Sequence, residues 1–493
     1  MHACGRVEGG GRRRRRLRAA VLVLVLVATA PAVVAGPGAA GGPPHVVLVM
    51  ADDMGWGQTG YRGHPLLKTP HLDAMAAAGL RFERFYAGGP VCSPTRAAML
   101  TGRTPVRTGV LSHGHALRLQ ERSIARALTD AGYVTGHFGK WHLDGLRGPG
   151  APVLAGDPRG PATFGFAEWV SATNFIDLDP LLGRPDGVAE FRGDSSEVVV
   201  AEAVSFLRRH RDSGRPLFAV VWYGSPHSPY RAAPADVAAF AGLDEASAAH
   251  HGEIVALDRS VGTLRAALRD LGIAADTMLV FCSDNGGLPR IEPDTVGGLR
   301  GHKGSLHEGG IRVPGIIEWP AVIAPRVTTY PACVMDLAPT IAEIVGLPAD
   351  ALLAPCDGTS LVPLFTGERA ARDRPIGFRH GTSRALVDDR FKLFTPAVGR
   401  GRFELYDLQA DPAETRDVAA EHPAEAARLK DLLKAWDAGV DASLAGRDYP
   451  EGRVVPADPP PVFWFEREEY APLLPAWADR PEYRGVLRRR GRE

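Results

Sequence analysis

Three short apolar runs each stop abruptly at polar residues, and that pattern leaves few folds open to the chain. HVVLVM (His45–Met50) leads into Asp52 and Asp53, LFAVVWY (Leu217–Tyr223) into Ser225-Pro226-His227, and TMLVFC (Thr277–Cys282) into Ser283-Asp284-Asn285-Gly286. A weaker run, Tyr133–Phe138, leads into Lys140-Trp141-His142. Near-continuous apolar runs of this length suit strands buried on both faces, as in parallel sheets. Helical patterns lie between them. Asp194 with Glu197 reads as a capping box that opens a helix to about His210. Ile254, Leu257, Val261, Leu264, Leu268 and Leu271 keep to one helix face, with Gly272 as a stop. Strand alternating with helix predicts an α/β fold, a mostly parallel central sheet sandwiched by helices. Ligands of such sheets bind beyond the carboxyl ends of the strands. Asp52, Asp53, His227, Asp284 and Asn285 are therefore expected in one crevice, despite their distance in sequence.

The two ends of the chain read differently. Arg12 to Arg16 and Arg18 precede an apolar run, Ala19–Ala30, and Val33-Val34-Ala35 offers a cleavage site. This is the pattern of a signal peptide, residues 1–35, and it predicts export to the periplasm or the medium. The double arginines leave a twin-arginine route open. Pro31, Gly36, Pro37 and Gly41-Gly42 would break a spanning helix, so no stable membrane span is expected after cleavage. The whole chain has 57 basic and 57 acidic residues. Residues 1–35 hold seven arginines and one acid, so the remainder is near −6 and shows no basic excess for nucleic acid. Near the other end, Ser383–Val387, Phe391–Thr395 and Phe403–Tyr406 are strand-like, and Ala424–Val440 is helix-like. They predict a small antiparallel sheet plus helix over 372–446. Residues 447–493 are rich in proline and aromatics, including Phe463, Trp464, Phe465, Tyr470 and Trp477. They read as a tail packed on the body, with a wall of a substrate cleft as the alternative. Gly145 to Arg192 reads as loops over the cleft and contains Ser171, Asn174 and Asp177, to which the sequence assigns no role. Four cysteines follow the signal; they do not make a disulfide scaffold, and one pair, Cys333 with Cys356, stays open.

The residues expected at the crevice have a definite chemistry. Asp52, Asp53, Asp284 and Asn285 offer only hard oxygen donors, which suit Ca²⁺, or Mg²⁺, rather than zinc. Pro94 fits the first turn of a helix, so Cys92 is expected at a helix N-terminus, where unpaired N–H groups and the dipole favour an anion. Only six lysines occur, and Lys140 and Lys303 are two of them.

The most specific stretch is CSPTRAAMLTGR, Cys92 to Arg103. It is similar to the signature of the formylglycine-dependent sulfatases, within the alkaline-phosphatase-like fold. Further stretches resemble that family: Val46–Gly57, Thr69–Phe85, GKWHL (139–143), Ser225–Tyr230, Cys282–Gly287, GHKGSLHEGGIRVP (301–314) and ELYDLQAD (404–411). The resemblance implies a catalytic domain over 44–371. It implies that Cys92 is oxidised to formylglycine by a maturation enzyme and contributes a ligand to the metal, beside Asp52, Asp53, Asp284 and Asn285. The aldehyde, as its hydrate, would attack sulfur with one oxygen and expel sulfate through the other. Arg96 would hold the formylglycine and the metal carboxylates. Lys140 and Lys303 would contact the sulfate, His142 would assist its elimination, and His227 would bind substrate and protonate the leaving oxygen. The implied substrate is an aryl or carbohydrate sulfate ester. Two other readings stay open: a phosphonate monoester or phosphodiester hydrolase on the same fold, and an inactive glycan-binding relative. His302 and His307 depart from the usual residues of the 301–314 motif and could shape the pocket, as could His113 and His115.

Overall fold

The apolar runs become the middle of a ten-stranded sheet. This computed structural model describes Arg6, residues 42–399 and residues 402–490; the expected signal segment lies outside the described residues apart from Arg6. Five parallel strands form the sheet's centre, in the order Thr277–Ser283, His45–Ala51, Leu217–Trp222, Val134–Lys140 and Glu168–Ala172. The flanks are mainly antiparallel. Gly315–Glu318, Leu80–Phe82 and Arg326–Thr328 extend one side, and the hairpin Leu181–Arg184 with Gly187–Glu190 ends the other.

Alternation along His45–Ala51 shows why both faces must be covered. Val46, Leu48 and Met50 enter one core with Ala97 to Leu100, Leu337, Ala338 and Ile341. Val47 and Val49 enter the other, with Val199, Leu207, Ile254, Leu257 and Leu264. The helices Ser195–His210 and Glu245–Asp270 cover that second face. Both start at an aspartate cap: Asp194 accepts from Ser196 N–H and Asp244 from Ser247 N–H. Glu197 does not complete the expected capping box; it pairs with Arg259 of the neighbouring helix. The second helix begins well before the apolar ladder at Ile254, because its first turns are small and polar residues that carry no periodic signal.

Register brings the strand ends level. Met50 pairs with Cys282 on one side and Trp222 on the other, and Gly139 pairs with Trp222. Asp52, Asp284 and Lys140 thus emerge from neighbouring strands at one edge of the sheet.

A second, four-stranded antiparallel sheet runs Ile376–His380, Ser383–Asp388, Phe391–Thr395, Glu404–Asp407, and the helix Pro423–Leu444 packs on it through Leu429 and Leu433. The segment 145–192, expected as loops, contains the strand Glu168–Ala172 and the end hairpin. Their short length and scattered glycines hid them. Cys333 and Cys356 are both free thiols, hydrogen-bonded to the Ala87 and Gly102 carbonyls. Among the described residues no helix is long and apolar enough to cross a membrane.

Candidate active site

Cys92 is the first residue of the helix Cys92–Thr101, and Pro94 lies in its first turn. The preceding turn is held by Thr95, whose Oγ1 accepts from the N–H groups of Gly88 and Gly89 at 3.1 Å each. The Cys92 thiol points to the carboxyl ends of the central strands, 3.2 Å from Asp52 Oδ1. Asp53 adopts φ 70°, a left-handed turn that carries its carboxylate back over the sheet edge, and its N–H donates to Asp284 Oδ1 at 3.1 Å. Ligand atoms of Asp52, Asp53, Cys92 and Asp284 all lie within 4.8 Å of one another.

The cations interleave with these carboxylates. Arg96, one turn along the same helix, donates to Asp284 Oδ2 at 2.8 Å and to the Lys140 carbonyl at 3.0 Å, and lies 3.7 Å from Asp52 Oδ2. Its guanidinium sits 5.1 Å from the Trp222 ring centroid. Lys140 bonds Asp52, and Lys303 bonds Asp53 at 2.6 and 2.8 Å. Lys303 is placed by its backbone: its N–H donates to Gly287 O, and the next N–H, of Gly304, donates to Pro90 O. Asn285 donates to Asp53 Oδ1 at 2.7 Å.

Burial sorts the set into floor and mouth. The side chains of Asp52, Arg96, Lys140 and Asp284 are fully buried, whereas Lys303 keeps 20% and His227 17% of its side-chain surface open. His227 Nδ1 lies 2.7 Å from Ser228 O, a pure acceptor, so Nδ1 carries the proton. That leaves Nε2 facing the pocket, 3.7 Å from Asp53 Oδ2. The Phe175 ring stacks on the imidazole at 4.7 Å. His142 is buried at φ 55°, with Nδ1 lacking a partner.

The electrostatics follow from crowding in a buried site. Burial alone would raise the Asp52 carboxyl, but Lys140, His227 and Arg96 hold it well below the usual range. Asp53 is also lowered: Lys303 and His227 overcome its burial. Asp284 is pushed up to about 7 by burial and by Asp52. Burial and the carboxylates of Asp284 and Asp52 push the Cys92 thiol up. Burial lowers His227 to about 4 despite Asp53.

The site fits a hard divalent cation. Asn285 Oδ1 is buried without a hydrogen-bond partner, while its Nδ2 bonds Asp53, one of three carboxylates clustered with Cys92. Those carboxylates already face three cationic side chains, so a bound divalent ion would leave the pocket net positive and ready for an anion.

The ten residues expected from sequence as catalytic or metal-binding thus lie together at the carboxyl ends of the central strands. Trp222 under Arg96 and Phe175 against His227 went unnoticed. Trp222 reads as core, and Phe175 sits in a loop segment without periodicity. Ser171 bonds His137 and His307 pairs with Glu414 at 3.3 Å, so neither joins the carboxylate cluster directly.

Comparison with known proteins agrees with this geometry. A family model described as Sulfatase matches residues 44–347, and one described as N-sulphoglucosamine sulphohydrolase, C-terminal, matches residues 302–437. Human arylsulfatase A is 36% identical over 446 residues, covering 82% of this chain and 84% of that protein. The N-acetylgalactosamine-6-sulfatase of Canis lupus familiaris is 35% identical over 397 residues, 72% of each. The fold also matches the crystal structure of Ps i-CgsB in complex with k-i-k-neocarrahexaose, with TM-score 0.72 and 24% identity over 89% of this chain and 98% of that one. On these grounds the chain belongs to the sulfatase family, the sulfuric ester hydrolases.

Proposed function

We propose that this sulfatase is exported, is matured by conversion of Cys92 to formylglycine, and hydrolyses aryl or carbohydrate sulfate monoesters with the help of a divalent cation. The observation that carries the reading is the position of Cys92 Sγ. It stands at a helix N-terminus, 3.2 Å from Asp52, within a ring of four oxygen-bearing side chains and three cations. A formylglycine there supplies a hydrated aldehyde as nucleophile. Ca²⁺ or Mg²⁺ held by Asp52, Asp53, Asp284, Asn285 and residue 92 supplies Lewis acidity toward the ester oxygens.

The chain's own residues do the rest. Lys140 and Lys303 neutralise the sulfate oxygens, which otherwise repel any nucleophile. Arg96 fixes Asp284 and Asp52, so the cluster keeps its shape without its own charges driving it apart. His227 has its Nδ1–H committed to Ser228 O, so Nε2 is the atom that gives a proton to the departing alcohol oxygen. An anion bound beside it favours its protonated form. Phe175 keeps that ring in plane. His142, buried with an unpartnered nitrogen, would accept a proton from the matured residue 92. The catalytic body is assigned to 44–371, the second sheet and its helix to 372–446, and the tail to 447–493. The matched canine enzyme is an N-acetylgalactosamine-6-sulfatase, which supports a sugar sulfate as natural substrate.

The test compares phenyl sulfate, diphenyl phosphate and the monophenyl ester of phenylphosphonic acid on one preparation, before and after chelation. The expected result is turnover of the sulfate in large excess over both phosphorus esters, lost on chelation and restored by Ca²⁺ or Mg²⁺. Preferred hydrolysis of the phosphonate, or activity indifferent to chelation, contradicts the reading.

A further inference from the structure

Residues 447–493 lie beyond both matched stretches, 44–347 and 302–437. Val462–Phe463 forms a two-residue parallel ribbon with Leu146–Arg147, pairing Phe463 with Arg147. The neighbouring Trp464 is buried among Tyr470, Trp477 and Tyr483. The Tyr470 hydroxyl donates to Pro152 O at 2.9 Å, and the Tyr483 hydroxyl to Gly150 O at 2.8 Å. These bonds fix the tail to the loop that follows His142. Phe463 stays outside this anchor, 42% exposed and stacked on Phe465 at 5.1 Å and 17°. Aromatic rings held out to solvent on a rigid base are poised to receive the apolar face of another ring.

Arg147 stands beside it. Among the described residues it makes no ion pair, and it is exposed. Its stem lies over Gly114: a β-carbon there would stand 2.8 Å from Arg147 Cγ and 3.4 Å from Nε. The Gly114 N–H donates to Ser93 Oγ at 2.9 Å, and Ser93 directly follows Cys92. Arg147 is thus connected through Gly114 to Ser93, the residue next to the nucleophile. The adjacent His113 imidazole, lowered first by burial, is also in the field of Lys303, Arg147 and Lys140. The sulfate under attack is already met by Lys140 and Lys303, so a free planar guanidinium at this rim has a different anion to bind.

We propose that Phe463 and Arg147 form a leaving-group subsite at the mouth of the pocket, for a sugar or aromatic ring that carries a second anionic group. Phe463 takes the face of the ring, and Arg147 pairs with the second anion, a carboxylate or a further sulfate. The subsite rests on the sulfatase reading of the pocket.

Its test measures kcat/KM of the full-length matured enzyme and of Arg147→Ala and Phe463→Ala on phenyl sulfate, 3-carboxyphenyl sulfate and benzene-1,3-disulfate ester. Arg147→Ala is expected to lower kcat/KM on one or both anion-bearing esters roughly tenfold or more, the loss typical of a charged hydrogen-bond partner, and to leave phenyl sulfate within about twofold. Whichever ester loses more identifies the second anion as carboxylate or sulfate. Phe463→Ala is expected to raise KM on all three esters with kcat little changed. An equal loss on all three esters for Arg147→Ala, or no loss on any, overturns the subsite while leaving the sulfatase reading intact. If the unaltered enzyme turns over none of the three esters, the underlying reading fails and the subsite falls with it.

Discussion

At the scale of single residues, Arg96 explains how three carboxylates share one buried pocket. Its fork reaches Asp284, the Lys140 carbonyl and the vicinity of Asp52, while Trp222 supports its flat face. A lysine keeps the charge but has one donor point where the fork needs several. Arg96→Lys is therefore expected to cost about 1–3 kcal/mol in urea denaturation, through partners left buried and unpaired. It is also expected to weaken metal binding measured by calorimetry. Unchanged stability and metal affinity would mean that the fork geometry does not matter. The residue types of this pocket were legible in the sequence because each follows an apolar strand or sits in a dense motif. Their hydrogen bonds were not. Nothing in the letters says that Lys303 bonds Asp53, whereas Lys140 bonds Asp52, because that choice depends on where the 301–304 turn docks on Gly287 and Pro90.

At the scale of elements, the second sheet clamps the turn that carries Lys303. Lys392, fully buried on Phe391–Thr395, lies 3.0 Å from Glu308 and 3.0 Å from Glu414, just past the 301–304 turn. Glu414 also accepts the Glu308 N–H at 2.6 Å. Burial alone would raise the Glu414 carboxyl, but Lys392, then His307, bring it down to about 2. A carboxyl lowered on folding stabilises the fold above its unfolded value, about 4.3, and that contribution disappears as pH falls toward 2. Glu414→Gln should therefore lower the melting temperature at pH 7 and flatten its fall between about pH 4.3 and 2, a difference worth about 2–3 kcal/mol. Parallel melting curves for the two proteins across that window would contradict the clamp. This second sheet was legible in three of its four strands. Ile376–His380 escaped notice because Gly377 and Arg379 interrupt its apolar pattern, although Gly377 is where the Trp436 ring packs closest, 2.3 Å from the place of a β-carbon.

At the scale of the whole molecule, the sheet, the second sheet and the tail each support a different segment. The sheet sets the floor, the second sheet steadies Lys303, and the tail braces the loop after His142. Trp464 is the centre of that brace. Trp464→Ala is expected to cost about 3–5 kcal/mol, as large buried aromatics do. Limited proteolysis should then cut within residues 144–160 faster than in the unaltered protein. Equal cutting rates would show that the loop stands without the tail. Sequence patterns predicted a packed tail or a cleft wall; the contacts of Trp464 on one side and the exposure of Phe463 on the other show a packed segment that also reaches the surface. No periodicity could reveal this, because the tail pairs through only two residues with a strand more than 300 positions away.

The chemistry of the pocket depends on the chemical state of residue 92, and the mass of the tryptic peptide spanning it tests that state most directly. Protein made with a maturation system and active on phenyl sulfate should give a peptide about 18 Da lighter than the cysteine form, as expected when the thiol carbon becomes an aldehyde. Full activity from protein in which residue 92 is wholly unmodified cysteine would contradict it.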